Sequence, residues 1–185
     1  MHIRFSTCIG TNIVCDSLHE AVGQILEILI NPDSGKVEGF FVVAPHVPFS
    51  AMPFVSALDI VRWGTAVHIR DADMISPAGD RIRLQPLLDD RRRILGQRIR
   101  TESGKYLGRC KDVQFNTDSM RCEWLFPRKW MRWSAPIPFS NIVEVRGDAI
   151  IVRDELQTIK DAVEESEPLD LLEAVTEMPK ARSSK

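Results

Sequence analysis

Apolar positions in this chain mostly alternate over short stretches, and before residue 155 they seldom recur at helical spacing. Val22–Ile30, Val37–Ala44, Val113–Phe115 and Ala149–Val152 are short, rich in β-branched and aromatic residues, and bounded by turn-forming clusters, which predicts strands. Asn31-Pro32-Asp33-Ser34-Gly35 predicts a tight turn, because proline presets φ and glycine accepts positive φ. Gly23 and Gly108 interrupt strand patterns, as glycines at bulges and sharp bends do. Many short strands at close spacing predict an all-β fold, a small barrel or a sandwich. In the first long strand, Ile25 and Leu29 are apolar as well as Leu26, Ile28 and Ile30. A strand buries one face of period two, so the second apolar face needs its own cover. Ile25 and Leu29 are therefore candidate contacts to another part of the chain or to a second copy.

Past Asp154 the pattern changes. Leu156, Ile159 and Val163 fall at helical spacing among mainly acidic positions, and after Pro168 a second stripe follows at Leu171, Leu172, Val175 and Met178. This predicts an acidic helical tail over 155–185, disordered at its very end.

The chain also repeats itself. At an offset of 85 residues Gly23 meets Gly108, Glu27 meets Asp112, and Asn31-Pro32-Asp33-Ser34 meets Asn116-Thr117-Asp118-Ser119. Pro53-Phe54 then meets Pro138-Phe139, and Leu58-Asp59-Ile60 meets Val143-Glu144-Val145. A two-residue deletion aligns Gly64–Asp71 with Gly147–Asp154, and one residue of slack aligns Ile13 with Ile99. The reading is two copies of one β-unit, over 7–78 and 94–154, joined by a basic linker at 79–93.

The recurring order is a glycine, a strand carrying an acidic residue, an Asn/Asp turn, a hydrophobic strand, a Pro-Phe and a closing Gly-x-Ala-hydrophobic strand. It resembles the PRC-barrel, the cytoplasmic domain of the photosynthetic reaction-centre H subunit. The second unit carries it through Leu95-Gly96, Gly104–Gly108, Asp112, Ile137-Pro138-Phe139, Ile142 and Ala149–Val152. The first carries it through Gly10, Ala21-Val22-Gly23, Pro53-Phe54, Ile60 and Ala66-Val67. The resemblance implies two tandem six-stranded barrels and partner-binding roles without catalysis. These include roles in ribosome maturation, as in factors of the RimM type, whose own N-terminal half is a different barrel.

Composition narrows the classes. The 185 residues are 44% hydrophobic and 27% charged, as in ordinary globular proteins. The longest clean apolar run, Phe40–Ala44, is far too short to span a bilayer, and Met1–Phe5 lacks the features of a signal peptide. Cys8, Cys15, Cys110 and Cys122 form no C-x-x-C pair, and the histidines supply no ligand cluster at zinc spacing. A cytoplasmic chain without metal or cofactor is expected. No nucleophile elbow, phosphate loop or dinucleotide fingerprint is present, so no catalytic residue is assigned and no enzyme activity is expected. Glu27 and Asp112 read as structural partners of turn amides.

The net charge of −2 hides a pattern: −4 over 1–79, +7 over 80–132 and −5 over 133–185. The acidic tail could neutralise the basic middle, or the middle could attract an anionic partner. Trp124–Trp133 holds three of the four tryptophans interleaved with three cations, and by the repeat it is expected to link two strands. Trp and Arg dominate binding hot spots, and cations beside aromatics also suit RNA. Arg128, Lys129, Trp130, Arg132 and Trp133 are therefore the candidate partner-binding residues. Arg91-Arg92-Arg93 is a second, anion-binding candidate, set against neutralisation by Asp89 and Asp90. Two functions follow: a protein-interaction adaptor, or an RNA- or ribosome-associated assembly factor.

Overall fold

The computed structural model describes residues 1–45 and 47–154. The expected tail helix over 155–185 lies outside the described residues. Strand β1 (His2–Arg4) and a single turn of helix, α1 (Phe5–Cys8), open the chain. The first sheet comprises β2 (Asn12–Cys15), β3 (Glu20–Ile30), β4 (Val37–Val43), β5 (Pro53–Ser56), β6 (Ile60–Trp63), β7 (Val67–Ile69) and β8 (Ser76–Pro77). Its order is β6-β7-β2-β3-β4-β5-β8. The second comprises β9 (Arg98–Thr101), β10 (Tyr106–Asn116), β11 (Arg121–Lys129), β12 (Arg132–Trp133), β13 (Ile137–Pro138), β14 (Ile142–Val145) and β15 (Ala149–Val152). Its path is β12-β11-β10-β9-β15-β14, with β1 added to β10 and β13 to β11. The fold is all-β apart from short helical turns, and its curled sheets include a half-barrel.

The two sheets repeat one pairing scheme. Ile13 lies opposite Gly23 on one side and opposite Val67, in a parallel pair, on the other. Ile99 stands in the same way between Gly108 and Ile150. Asn31 accepts backbone hydrogen bonds from Asp33 and Ser34, at 3.0 and 3.1 Å, and Asn116 does the same for Asp118 and Ser119, at 2.8 and 3.1 Å. These are Asx turns, in which a short polar side chain replaces a backbone acceptor.

The equivalence slips after the fourth strand. Phe40 pairs with Val55, whereas Leu125 pairs with Ile137. The structural offset has therefore fallen by three residues, and Ile60 corresponds to Ile142 rather than to Val145. Pro53-Phe54 begins a strand, while Pro138-Phe139 ends one and starts a helical turn. Their shared spelling does not reflect a shared place.

One apolar core serves both sheets. Phe115 of the second sheet packs on Phe40 and Trp63 of the first, with ring centroids 6.0 and 5.7 Å apart. The Val37 amide donates to the Met120 carbonyl at 2.7 Å, and the Cys122 amide donates to Gly35 at 2.8 Å. A bulge between Ile25 and Glu27 switches the facing of β3. Ile25, only 2% exposed, joins Ile28 and Ile30 in the shared core, and Leu26 turns outward. Leu29 instead packs with Phe41 and Leu88 around Phe54, Ala78 and Leu84. Its cover comes from the segment following the first sheet, so the expected pairing of Ile25 and Leu29 on one second face does not hold.

Candidate functional site

The tryptophan-rich segment is not a link between strands. Trp124–Lys129 is the last two thirds of β11, and only Trp130 and Met131 form the turn to β12, with Lys129 opposite Arg132 and Arg128 opposite Trp133. The sequence extends the strand because Leu125 is buried in the core, while Phe126 is covered from outside by the Arg4 guanidinium, 3.7 Å above its ring. At the tip, Trp130 is 91% exposed and Met131 81% exposed. Trp130 holds a φ of +57°, a left-handed conformation that bulky residues rarely adopt. Two-residue hairpin turns normally place glycine or asparagine there.

Behind the tip, Trp133 is 55% exposed and lies between two cations, Arg128 at 5.7 Å and Arg4 at 5.9 Å from its ring. Lys129 stands 5.6 Å over the Tyr106 ring. Cation–π contacts of this kind keep a charge in place while leaving it available to an anion.

The register extends this cluster into a row. Arg98 on β9 faces Arg109 on β10, which faces Arg128 on β11, which faces Trp133 on β12. Residues directly opposite on neighbouring strands project from the same face, and like charges so placed repel. Among the described residues no salt bridge relieves Arg98, Arg100, Arg109, Arg128, Lys129 or Arg132; the ion pairs present use other cations. Arg128 Nε is buried with no acceptor among the described residues. The same row of the first sheet reads Asn12–Gln24–Val43, and the Gln24 side-chain amide donates to Asn12 at 3.0 Å. Arg109 donates to the Gly96 carbonyl at 3.0 Å, so the two copies carry a neutral row and a cationic one whose arginines have no carboxylate partner among the described residues.

Of the five residues expected from sequence, Arg128, Lys129, Trp130, Arg132 and Trp133 all lie on this hairpin. Arg98 and Arg109 complete the row and were not read with it. The repeat offset carried the signal, since it sets cations against Asn12, Gln24 and Val43. Arg4 comes from the far end of the sequence, and only the β1–β10 pairing brings it near.

The Arg91-Arg92-Arg93 candidate is partly engaged within the chain. Arg92 grips Asp33 through two bonds of 2.6 and 2.9 Å and also holds Asp90, which fastens the stretch before β9 to the first Asx turn. These carboxylates hold the Arg92 guanidinium firmly protonated. Arg93 approaches Glu27 at 3.8 Å. Carboxylates thus already occupy two of the three arginines. Glu27 and Asp112, equivalent by sequence, also part company. Glu27 is exposed, whereas Asp112 is buried and accepts from the Ser6 amide and hydroxyl at 3.0 and 2.6 Å, capping α1.

All four cysteines are buried free thiols, and burial pushes Cys8 and Cys110 up to about 12. Among the described residues no three His, Cys, Asp or Glu side chains gather as a metal site would require. No helix among them is long and apolar enough to cross a membrane. No family model matches the chain, and no curated protein is detectably similar to it.

Proposed function

We propose that this chain is a non-enzymatic cytoplasmic adaptor, built from two six-stranded units of the PRC-barrel type, that binds an acidic segment of a partner protein on its second unit. The observation that carries this is the row Arg98–Arg109–Arg128. Three guanidinium groups stand opposite one another at a cost to stability, where the sister unit has a neutral row. A counter-anion supplied by a partner offsets that cost, and Trp130, Met131 and Trp133 add an apolar anchor beside it. In support of the family reading, six strands of each sheet follow one order, β6-β7-β2-β3-β4-β5 and β14-β15-β9-β10-β11-β13.

A second reading, RNA as the anion, is favoured by one observation. Tyr106, Trp130 and Trp133 are exposed aromatics flanking the cations, the arrangement on which single-stranded bases stack. Fluorescence anisotropy with a labelled oligoglutamate peptide carrying one leucine, and with labelled oligouridine of equal length, separates the two. The adaptor reading expects the peptide to bind and the variant Arg128→Ala/Trp130→Ala/Arg132→Ala to lose about tenfold or more in affinity with little change in melting temperature. Tighter binding of oligouridine with a steep salt dependence supports the second reading instead. Equal peptide binding by variant and wild type overturns the site.

A further inference from the structure

Strand β15 delivers the end of the described chain to the border of the cationic face. Val152 lies beside Thr101 of β9, and Asp154 accepts from the Ser103 hydroxyl at 2.6 Å and the Ser103 amide at 3.2 Å. Ser103 belongs to the turn between β9 and β10, so the chain leaves next to Lys105 and Arg100. The row itself begins at Arg98 on that same β9. The next residues in sequence carry Glu155, Asp161, Glu164, Glu165, Glu167 and Asp170 against a single Lys160, with Leu156, Ile159 and Val163 among them.

We infer that segment 155–170 is the cationic row's own occupant, an acidic and apolar strap that covers Arg98, Arg109, Arg128 and Trp133 and must be displaced by a partner. The inference rests on the adaptor reading of the same face and adds its regulation. Three arguments carry it. The first is charge: the strap is strongly acidic, and the row's arginines have no carboxylate among the described residues. The second is matching chemistry, since carboxylates interspersed with aliphatic side chains meet guanidinium groups interspersed with Trp130, Met131 and Trp133. The third is reach. From β9 to β12 the row crosses three strand spacings, about 15 Å at roughly 4.8 Å each. The chain leaves at Ser103, five residues or about 16 Å along β9 from Arg98, so the diagonal to Trp133 is about 22 Å, and sixteen extended residues at roughly 3.3 Å each reach across it with length to spare. A tether also raises the strap's effective concentration to about the millimolar range, so weak contacts suffice to fill the face and stay weak enough to yield.

The test uses the full chain in two forms, wild type and a strap-neutral variant carrying Glu155→Gln, Asp161→Asn, Glu164→Gln, Glu165→Gln, Glu167→Gln and Asp170→Asn. Labelled oligoglutamate is titrated into each. Self-occupancy expects the strap-neutral chain to bind the probe about tenfold or more tightly than wild type, and adding Arg98→Gln/Arg109→Gln/Arg128→Gln to remove that gain. Equal binding by wild type and strap-neutral chains, both lost with the arginines, overturns the strap and leaves the adaptor reading standing. Failure of the strap-neutral chain to bind the probe at all overturns the adaptor reading, and the strap is then judged by cross-linking alone. A zero-length carbodiimide joins strap carboxylates to Lys105, Lys111 or Lys129 as amides in wild type at low salt, and mass spectrometry reads the links. An equal mixture of isotopically light and heavy protein should give links within one isotope only. No such links, or links of mixed isotope, overturn covering in cis.

Discussion

Gly108 lies directly against the backbone of Arg128: a Cβ on it would stand 2.8 Å from the Arg128 carbonyl oxygen and 2.9 Å from its carbonyl carbon. Gly23 stands in the same relation to Val43, at 2.8 Å from that carbonyl. The contact lets β10 and β11 close tightly, and in the second unit it also sets the height at which Arg128 leaves the sheet. Gly108 has in addition a φ of +131°, so an added side chain meets both backbone strain and a collision. Gly108→Ala should lower unfolding free energy by about 1–3 kcal/mol and weaken oligoglutamate binding, because Arg128 must shift. Gly104→Ala is the control. Gly104 also has positive φ, at +86°, but open space around it, so it should cost only the backbone term of about 1–2 kcal/mol and leave binding alone. Urea titration and anisotropy on both variants read the two effects.

The arginine row should show the opposite coupling. Repulsion between directly opposed charges costs roughly 0.2–1 kcal/mol per pair, and Arg109 faces an arginine on both sides. In the strap-neutral chain, where no acidic segment offsets it, Arg109→Gln should raise the urea midpoint at low salt while probe binding falls. Added salt screens the repulsion, so the gain should shrink as ionic strength rises. A lower midpoint in Arg109→Gln at every salt would mean that the row serves the fold.

The repeat made much of this legible in the sequence, and its limits have physical causes. Gly23 with Gly108, Asn31 with Asn116 and Ile13 with Ile99 are matched by close approach, turn capping and strand register respectively. Each role tolerates few residue types, so the letters survive in both copies. Pro53-Phe54 and Pro138-Phe139 share letters without sharing a place, because pairing register follows which side chains reach the core. Val55 and Ile137 are the buried equivalents. The candidate residues of the β11–β12 hairpin were visible as an aromatic and cationic cluster. Arg98 and Arg109 were not, since only the pairing register of the consecutive strands β9, β10 and β11 sets them opposite Arg128, and Arg4 comes from the far end of the sequence. Arg92 looked like part of a free basic run because its partner Asp33 lies far upstream in the sequence.

Acid should weaken the fold through a defined set of carboxylates. Asp16 is held below the usual carboxylate range chiefly by its hydrogen bond with His68, Asp90 by the Arg92 guanidinium, and Asp154 by the Ser103 hydroxyl. A carboxyl with a depressed folded pKa contributes stability that is present above its unfolded value, about 3.9 for aspartate. That contribution is lost as pH falls through the lower folded value. The urea midpoint should therefore hold steady above about pH 5 and decline below about pH 4. Asp90→Asn cannot take up that proton, so its acid limb should be shallower than that of wild type. An unchanged limb would remove the Asp90–Arg92 clamp from the account.

Trp130 separates recognition from folding most directly. Its side chain is almost wholly exposed, so it returns little burial energy, and its φ of +57° places a bulky residue in the left-handed region. That conformation costs a non-glycine residue about 1–2 kcal/mol, and the hairpin bears the cost between Lys129 and Arg132, which pair across the turn. Trp130→Gly removes the strain, and Trp130→Asn lessens it, since asparagine accepts left-handed backbone more readily. Both should raise the melting temperature, glycine the more, since a two-residue turn with positive φ at its first residue alone favours glycine there. Both should also weaken binding of the leucine-containing oligoglutamate probe, because the apolar anchor is gone while Arg98, Arg109 and Arg128 remain. A control probe without the leucine should lose less, which isolates the apolar share of the contact. Higher stability with unchanged binding of both probes would show that the tip lies outside the recognition face and would confine that face to the arginines and Trp133. Lower stability in both variants would show that the indole packs on the hairpin in solution, and Trp130 would then belong to the fold.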